Sequence, residues 1–529
     1  MRAGSCVLTL LSLQIGIAQP VRYDYVLQNT LIVDGSGSAW FKGDVAIRGD
    51  TIAAIGLLPA YTAGVTMNAG GHTVAPGFVD THSHSRQAIF AVPSAENLIR
   101  QGVTTLIEGP DGSSPIPLQP FLAKLRATQI GINFGSMAGH GSIRSAVMGT
   151  ANRLASAEEL GRMRELMAQA MRDGAFGLST GLFYVPGNYA STEEVIEIAR
   201  VAGQMGGIHT SHMRDEAAAI MASVAETIRI GEEGKLPTQL THHKIIGGPN
   251  WGRSIDTLRL VEEARARGVD VTVDQYPYTA SSTGIAALLP QWALSDGPAA
   301  VKERLSAPDT RARIKAVIVD KIKTDRGAGD PKNIQIASCG WDASLAGKTL
   351  SEIAIARSLE PSLENAADIV MEMVSRGGCS AIYHAIDEQD VDRIMRYPFT
   401  MIASDGGVVV FDAGVPHPRN YGTFARVLSR YVRERNTLTL EDAVRKMTSL
   451  PAGRFRIFDR GLLRPGMKAD LVVFDPKRVR DAAEFGKPHR YAEGFIHVFV
   501  NGRPVLRDGR MTGERPGRVL LGPGAAAGR

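Results

Sequence analysis

The chain has 529 residues, too many for one ordinary hydrophobic core, so a large domain with a smaller companion is expected. Hydrophobic residues make up 44% and charged residues 21%, ordinary globular usage that excludes a low-complexity or disordered chain. The net charge is +5, but Lys and Arg are scattered among 54 acidic residues with no basic run or aromatic stripe, which argues against a nucleic-acid partner.

Residues 1–18 carry Arg2, an apolar stretch from Cys6 to Ile17 and the small residues Gly16 and Ala18. They read as a signal peptide cut after Ala18, which implies a secreted or periplasmic protein. No other stretch reaches the ~18 apolar residues of a membrane span, so no membrane partner is expected. The cysteines are Cys6, Cys339 and Cys379; with Cys6 in the leader, no disulfide framework is expected.

From residue 25 to 55, short apolar runs alternate with turn signals such as Asp34-Gly35-Ser36-Gly37 and Gly49-Asp50. The same grammar returns at 469–474, 494–500 and 503–506, with Asn501-Gly502 as a hairpin turn. These segments predict a small β-sandwich domain built from both chain ends, 22–75 and 462–520. Between them the pattern becomes short buried strands alternating with amphipathic helices. Candidate strands lie at 77–80, 104–108, 133–138, 175–179, 207–210, 238–242, 269–275, 334–337, 381–383 and 400–404. Helices are expected at 156–172, where Ser156 and Glu159 have capping-box spacing, and at 193–205, 216–231 and 254–267. About eight such units predict an α/β fold, a (β/α)8 TIM-like barrel over 76–461 with a lid insertion at about 284–333.

Chemistry-bearing residues cluster at the predicted strand ends. Pro76-Gly77-Phe78-Val79-Asp80-Thr81-His82-Ser83-His84 places two histidines at i and i+2, on one side of an extended chain. His212 follows the fifth strand, His242 and His243 end the sixth, and Asp405 closes a late strand. Four imidazoles and a carboxylate at strand ends suit one or two zinc-like ions. One buried histidine more often just satisfies a carbonyl, but the coincidence at several strand ends favours a site. His209, three residues before His212, faces the other way and reads as core, and His243 reads as structural.

The sequence resembles the amidohydrolase superfamily and, within it, the D-aminoacylase (N-acyl-D-amino-acid deacylase) group. The resemblance runs from Tyr25 to about Leu520. It is carried by residues 76–84, His140-Gly141-Ser142-Ile143-Arg144, Gly177 to Leu182 with Tyr184-Val185-Pro186-Gly187, and His212-Met213-Arg214. Further matches are His243-Lys244, Asn250-Trp251-Gly252, Asp274, Tyr276-Pro277-Tyr278, Ser404-Asp405-Gly406, His417-Pro418-Arg419 and Gly422-Thr423-Phe424.

The resemblance implies that His82 and His84 hold one metal site, that His212 and His242 hold the other, and that Asp405 is the metal-side general base. The family's bridging cysteine is missing, because the turn here reads Glu108-Gly109-Pro110-Asp111-Gly112. The carboxylated lysine that bridges in other superfamily members has no counterpart either, since residues 175–182 lack lysine. If two metals bind, an acidic residue must replace them, and Glu108 is chosen over Asp111 for its strand-end position and longer reach. His140 is a candidate for lining the site.

The implied activity is zinc-dependent hydrolysis of the amide of an N-acyl-D-amino acid, with one or two metal ions. Arg419, joined by Lys244, Tyr276 and Ser282, would clamp the carboxylate of this small-molecule substrate. Competing readings are cleavage of a cyclic amide, an N-acyl-L-amino acid or a bulky aryl amide, and a non-catalytic scaffold. Oligomeric state stays open.

Overall fold

Short β-branched segments separated by turn residues build a nine-stranded sheet that joins the two chain ends in this computed structural model, which describes residues 21–528. The leader assigned to residues 1–18 lies outside the described residues. The runs at 25–27 and 30–33 merge into one long strand, Val21–Ile32, which pairs with Phe41–Arg48 and with Tyr61–Asn68. Tyr61–Asn68 escaped the sequence reading because only Met67 among its side chains is fully buried, so its apolar signal is faint. Leu471–Phe474 pairs antiparallel with Thr73–Pro76 and ties the C-terminal strands to the N-terminal ones. The hairpin expected at Asn501-Gly502 is present, with φ of 48° and 75°, the doubly positive turn that suits the strand twist.

The intervening chain gives parallel strands alternating with helices. Thr400–Ile402, Val271–Gln275, Thr238–Leu240, Ile208–His212, Gly177–Gly181 and Ala138–Gly139 form one parallel sheet in that order. Phe78–Ser83, Val103–Glu108 and Asn133–Ser136 form another, and only Met137 separates Ser136 from Ala138. The first and last of these strands also meet: Asp405 N–H donates to His82 O at 3.0 Å, and His84 N–H to Gly406 O at 2.6 Å. Gly407 permits this approach, since a Cβ there would lie 2.6 Å from His84 O. The helix Ala157–Asp173 starts at Ser156 with the capping box in place, both reciprocal hydrogen bonds formed.

Two strand predictions are corrected. Ile334–Ser338 and Ser380–Tyr383 do not join the parallel strands; they pair antiparallel with each other, and Ser380–Tyr383 pairs with Ser281–Gly284. A short apolar run looks the same in either setting. The inserted unit therefore runs over about 281–383, longer than the expected 284–333, and has its own core of Ile314, Ile318, Ile336, Val370 and Tyr383. Within it Cys339 and Cys379 are disulfide-bonded with Cα atoms 4.4 Å apart, against the expectation of no disulfide. Forty residues separate them in sequence, so spacing alone did not announce the bond. No helix among the described residues is long and apolar enough to cross a membrane.

Candidate active site

The C-terminal ends of the parallel strands converge on a cavity of about 570 Å³. Five of the strands carry a histidine or aspartate of the cluster at or just past that end. His82 lies in Phe78–Ser83 with His84 just beyond, His212 ends Ile208–His212, His242 follows Thr238–Leu240, and Asp405 follows Thr400–Ile402. Asp111 comes from the turn after Val103–Glu108. Three of these residues, Asp111, His242 and Asp405, have φ of 54°, 36° and 47°, a left-handed backbone that non-glycine residues rarely adopt. Such strain concentrates where the surroundings force a side chain into a working position.

Asp111 is the hub. Its Oδ1 lies 3.3 Å from His82 Nε2, 3.5 Å from His242 Nε2 and 3.7 Å from His212 Nδ1, while its Oδ2 is 3.5 Å from His84 Nε2. Asp405 Oδ1 lies 3.2 Å from His84 Nε2 and 3.5 Å from His82 Nε2. His82, His84, Asp111 and Asp405 can offer one atom each within 4.8 Å of one another, and so can Asp111, His212 and His242. Burial pushes both carboxyls up, but the histidines outweigh it at Asp111, and Arg419 with the histidines does so at Asp405. Both are held well below the usual carboxylate range, so both are anionic at neutral pH.

The arrangement fits divalent metal. His82 Nε2 and Asp111 Oδ1 are buried without a hydrogen-bond partner, and His212 Nδ1 and His242 Nε2 face each other at 2.7 Å. Imidazoles aimed at carboxylates and at each other are what a zinc-type cation gathers, with nitrogen and oxygen donors in its preferred set.

Glu108, expected as the bridging carboxylate, is corrected. Its Oε2 accepts the backbone N–H of Ser85 at 2.6 Å and of Arg86 at 3.0 Å, so it braces the loop that follows His84. At the strand end, its side chain points toward the neighbouring strand, whereas the Gly109-Pro110 turn swings Asp111 into the cavity.

Around the cluster a second set of bonds fixes the ligands. Asp274 Oδ1 accepts His242 N–H at 2.5 Å, and Asp80 accepts Ser404 N–H at 2.8 Å. Glu216, which the sequence reading missed, lies 3.1 Å from His242 Nδ1 and is held by Lys244 at 2.5 Å. Its signal was a carboxylate four residues after His212.

Of the expected substrate clamp, Lys244, Ser282 and Arg419 line the cavity. Lys244 also reaches His242 Nδ1 at 2.7 Å and His242 O at 3.0 Å, so much of its donor capacity is taken. Arg419 Nη1 donates to Asp405 Oδ2 at 2.8 Å, and Nη2 lies 3.4 Å from Ser282 O. Tyr276 packs under Arg419, 4.9 Å from ring centre to guanidinium, with its hydroxyl buried and unpartnered. His140 turns away to Glu194 at 3.0 Å, which removes it from the cavity wall. His209 bonds Thr180 and Thr238, and His243 bonds Thr257, the structural roles expected of them.

Comparison with known proteins matches this architecture. The amidohydrolase family profile matches residues 348–506. The D-aminoacylase of Alcaligenes xylosoxydans xylosoxydans is 39% identical over 94% of this chain and 97% of that protein. A crystal structure of D-aminoacylase superposes with a TM-score of 0.81 at 37% identity, covering 94% of this chain and all of that one. The N-acyl-D-glutamate deacylase of Bordetella bronchiseptica, solved with zinc and a phosphonate that mimics the tetrahedral intermediate, gives 0.80 at 34% identity, covering 94% of this chain and all of that one. The site and fold define an α/β amidohydrolase. Within that superfamily, the chain belongs to the D-aminoacylase, or N-acyl-D-amino-acid deacylase, group.

Proposed function

We propose that this protein is a zinc-dependent hydrolase that cleaves the acyl amide of N-acyl-D-amino acids. The observation that carries the reading is the convergence of His82, His84, His212 and His242 on Asp111, with Asp405 alongside, at a cavity that all of them but His82 line. In this reading His82, His84, Asp111 and Asp405 would hold one zinc ion, and Asp111, His212 and His242 would hold a second if one binds. Zinc supplies Lewis acidity there, polarising a carbonyl and lowering the pKa of water toward about 7.

The chain's own residues do the rest. Asp405 is ionised and accepts a proton as water adds its oxygen to the amide carbon. It then returns the proton to the amine nitrogen as the C–N bond breaks, releasing a carboxylate and a free amino acid. Arg419 orients Asp405 through its 2.8 Å bond, and its remaining N–H groups, with Ser282 and Lys244, form the wall assigned to the substrate carboxylate. Preference for the D configuration rests on the relatives named above.

The parallel strands are read as the (β/α)8 barrel of this superfamily, a reading supported by the Ser83 to Gly406 bridge between its first and last strands. The nine-stranded sheet is read as the core of the companion β-sandwich domain. A secreted or periplasmic location is proposed from residues 1–18 and is supported by the Cys339–Cys379 bond, which suits an oxidising compartment.

A substrate panel with zinc-loaded enzyme tests the function. N-acetyl-D-amino acids should turn over well ahead of their L counterparts, hydantoins and aryl amides. Faster turnover of any of those three would assign a different amide to the same metal cage.

A further inference from the structure

We propose that Arg86 and Ser113 form the wall that reads the acyl half of the substrate, and that this wall selects acyl groups ending in a carboxylate, the monoamides of short dicarboxylic acids. The proposal rests on the deacylase reading above and names the acyl class which that reading leaves open.

Strand order puts the two halves of the substrate on different sides of the cavity. Lys244 lies just past Thr238–Leu240, Ser282 beyond Val271–Gln275 and Arg419 beyond Thr400–Ile402, and these strands are consecutive neighbours in one parallel sheet. They carry the wall assigned to the α-carboxylate, with Asp405, which returns the proton to the amine, on the same side. Arg86 follows Phe78–Ser83, Ser113 follows Val103–Glu108 and Ser142 follows Asn133–Ser136, the neighbours in the other parallel sheet, and all three line the same cavity. An amide with its nitrogen toward Asp405 and its carboxylate toward Arg419 therefore sends its acyl group toward the loops that carry Arg86 and Ser113.

Arg86 is fixed in this wall. Its Nη2 donates to Ser113 Oγ at 3.0 Å, which joins the loop after His84 to the turn after Asp111. Glu108 lies behind it, with Oε1 3.7 Å from Nε, while the other oxygen of Glu108 accepts the backbone N–H groups of Ser85 and Arg86. Nη1 has no hydrogen-bond partner among the described residues, and the side chain is 31% exposed, so its outer edge is open to a ligand. The neighbouring hydroxyls add donors. Ser113 Oγ accepts from Arg86, and Ser142 Oγ accepts from Ser114 N–H at 3.0 Å, which leaves both hydroxyl protons to donate.

This wall therefore presents a cation and hydroxyl donors, while Glu108 faces the backbone and Asp111 is committed to the histidines. Such a surface complements an anion and has nothing to offer an alkyl chain. A carboxylate matches the planar fork of an arginine in a bidentate fashion. The cavity of about 570 Å³ falls in the range that encloses a drug-sized ligand, larger than an N-acetyl-amino acid. The loop itself is anchored by main-chain N–H groups on Glu108, so a change of the Arg86 side chain leaves that anchor in place.

The test uses zinc-loaded full-length enzyme with N-succinyl-D-leucine and its succinamoyl analogue, which has the same length without the terminal charge. In wild-type enzyme the acid should exceed the amide in kcat/KM by about tenfold or more. Arg86→Met and Arg86→Gln should both bring that ratio to near unity, the second keeping a side chain able to hydrogen-bond Ser113. Arg86→Lys and Ser113→Ala should each retain part of it. Thermal melts identify folded variants, and the ratio is read in those. Wild-type enzyme without the preference overturns the proposal, as does a ratio that survives in Arg86→Met or Arg86→Gln, or an equal loss on acid and amide in both. N-acetyl-D-leucine serves as the reference substrate. If wild-type enzyme turns over neither it nor the succinyl pair, the deacylase reading fails, a result distinct from turnover without acid preference.

Discussion

Arg419 Nη1 donates a hydrogen bond to Asp405 Oδ2 at 2.8 Å, and both side chains are buried. The arginine therefore acts on the proton-transfer group as well as facing the cavity. Arg419→Met should lower kcat on N-acetyl-D-amino acids and on their primary amides alike, and should raise KM chiefly for the acids. Losing a charge-assisted bond costs on the order of 2 kcal/mol, roughly thirtyfold in rate. Steady-state kinetics on both substrates separate the effects. An unchanged kcat would mean that Arg419 serves the substrate alone.

Asp111 and Glu108 should part company under mutation. Asp111→Ala should strip bound metal, read by elemental analysis after dialysis, together with activity. Glu108→Ala should retain metal but lower thermal stability, because the buried N–H of Ser85 loses its acceptor at a cost of about 1–3 kcal/mol and the part-buried N–H of Arg86 loses its own. Metal loss confined to the Glu108 variant would reverse the assignment.

Asp405→Asn keeps a neutral oxygen near the histidines but cannot accept a proton. It should retain most of the metal and lose roughly a hundredfold or more in turnover, the size expected for loss of a general base. Rates near wild type would remove Asp405 from proton transfer.

His209 gives a pH signature apart from catalysis. Burial between Thr180 and Thr238 lowers its pKa from 6.5 to about 3, with repulsion from His140 adding to the effect. Below pH 6.5 the unfolded chain binds a proton there that the native protein refuses. This stabilisation is complete above 6.5 and is lost as pH falls toward 3, by up to about 5 kcal/mol in the limit. Denaturant melts from pH 7 to 4 should show stability falling less steeply for His209→Gln than for wild type. Parallel slopes would show that His209 is not kept neutral by the fold.

Most of the site was legible because its ligands sit at strand ends, where an apolar run followed by His or Asp announces both the element and the direction of the side chain. His82, His84, His212, His242 and Asp405 were found this way. Asp111 was weighed and passed over, since its position depends on a left-handed turn after Gly109-Pro110 that no periodicity reports. The strands Ile334–Ser338 and Ser380–Tyr383 were found as strands but placed in the wrong sheet, for pairing partners are a long-range property. The disulfide between Cys339 and Cys379 depends on the same long-range packing.

The most direct test is chiral analysis of the amino acid released from a racemic N-acetyl substrate, with metal-stripped and then zinc-reconstituted enzyme. The account predicts no release by stripped enzyme, and after zinc addition release of the D-amino acid while the N-acetyl-L-amino acid persists. Equal release by the stripped enzyme, or release of the L-amino acid, would contradict it.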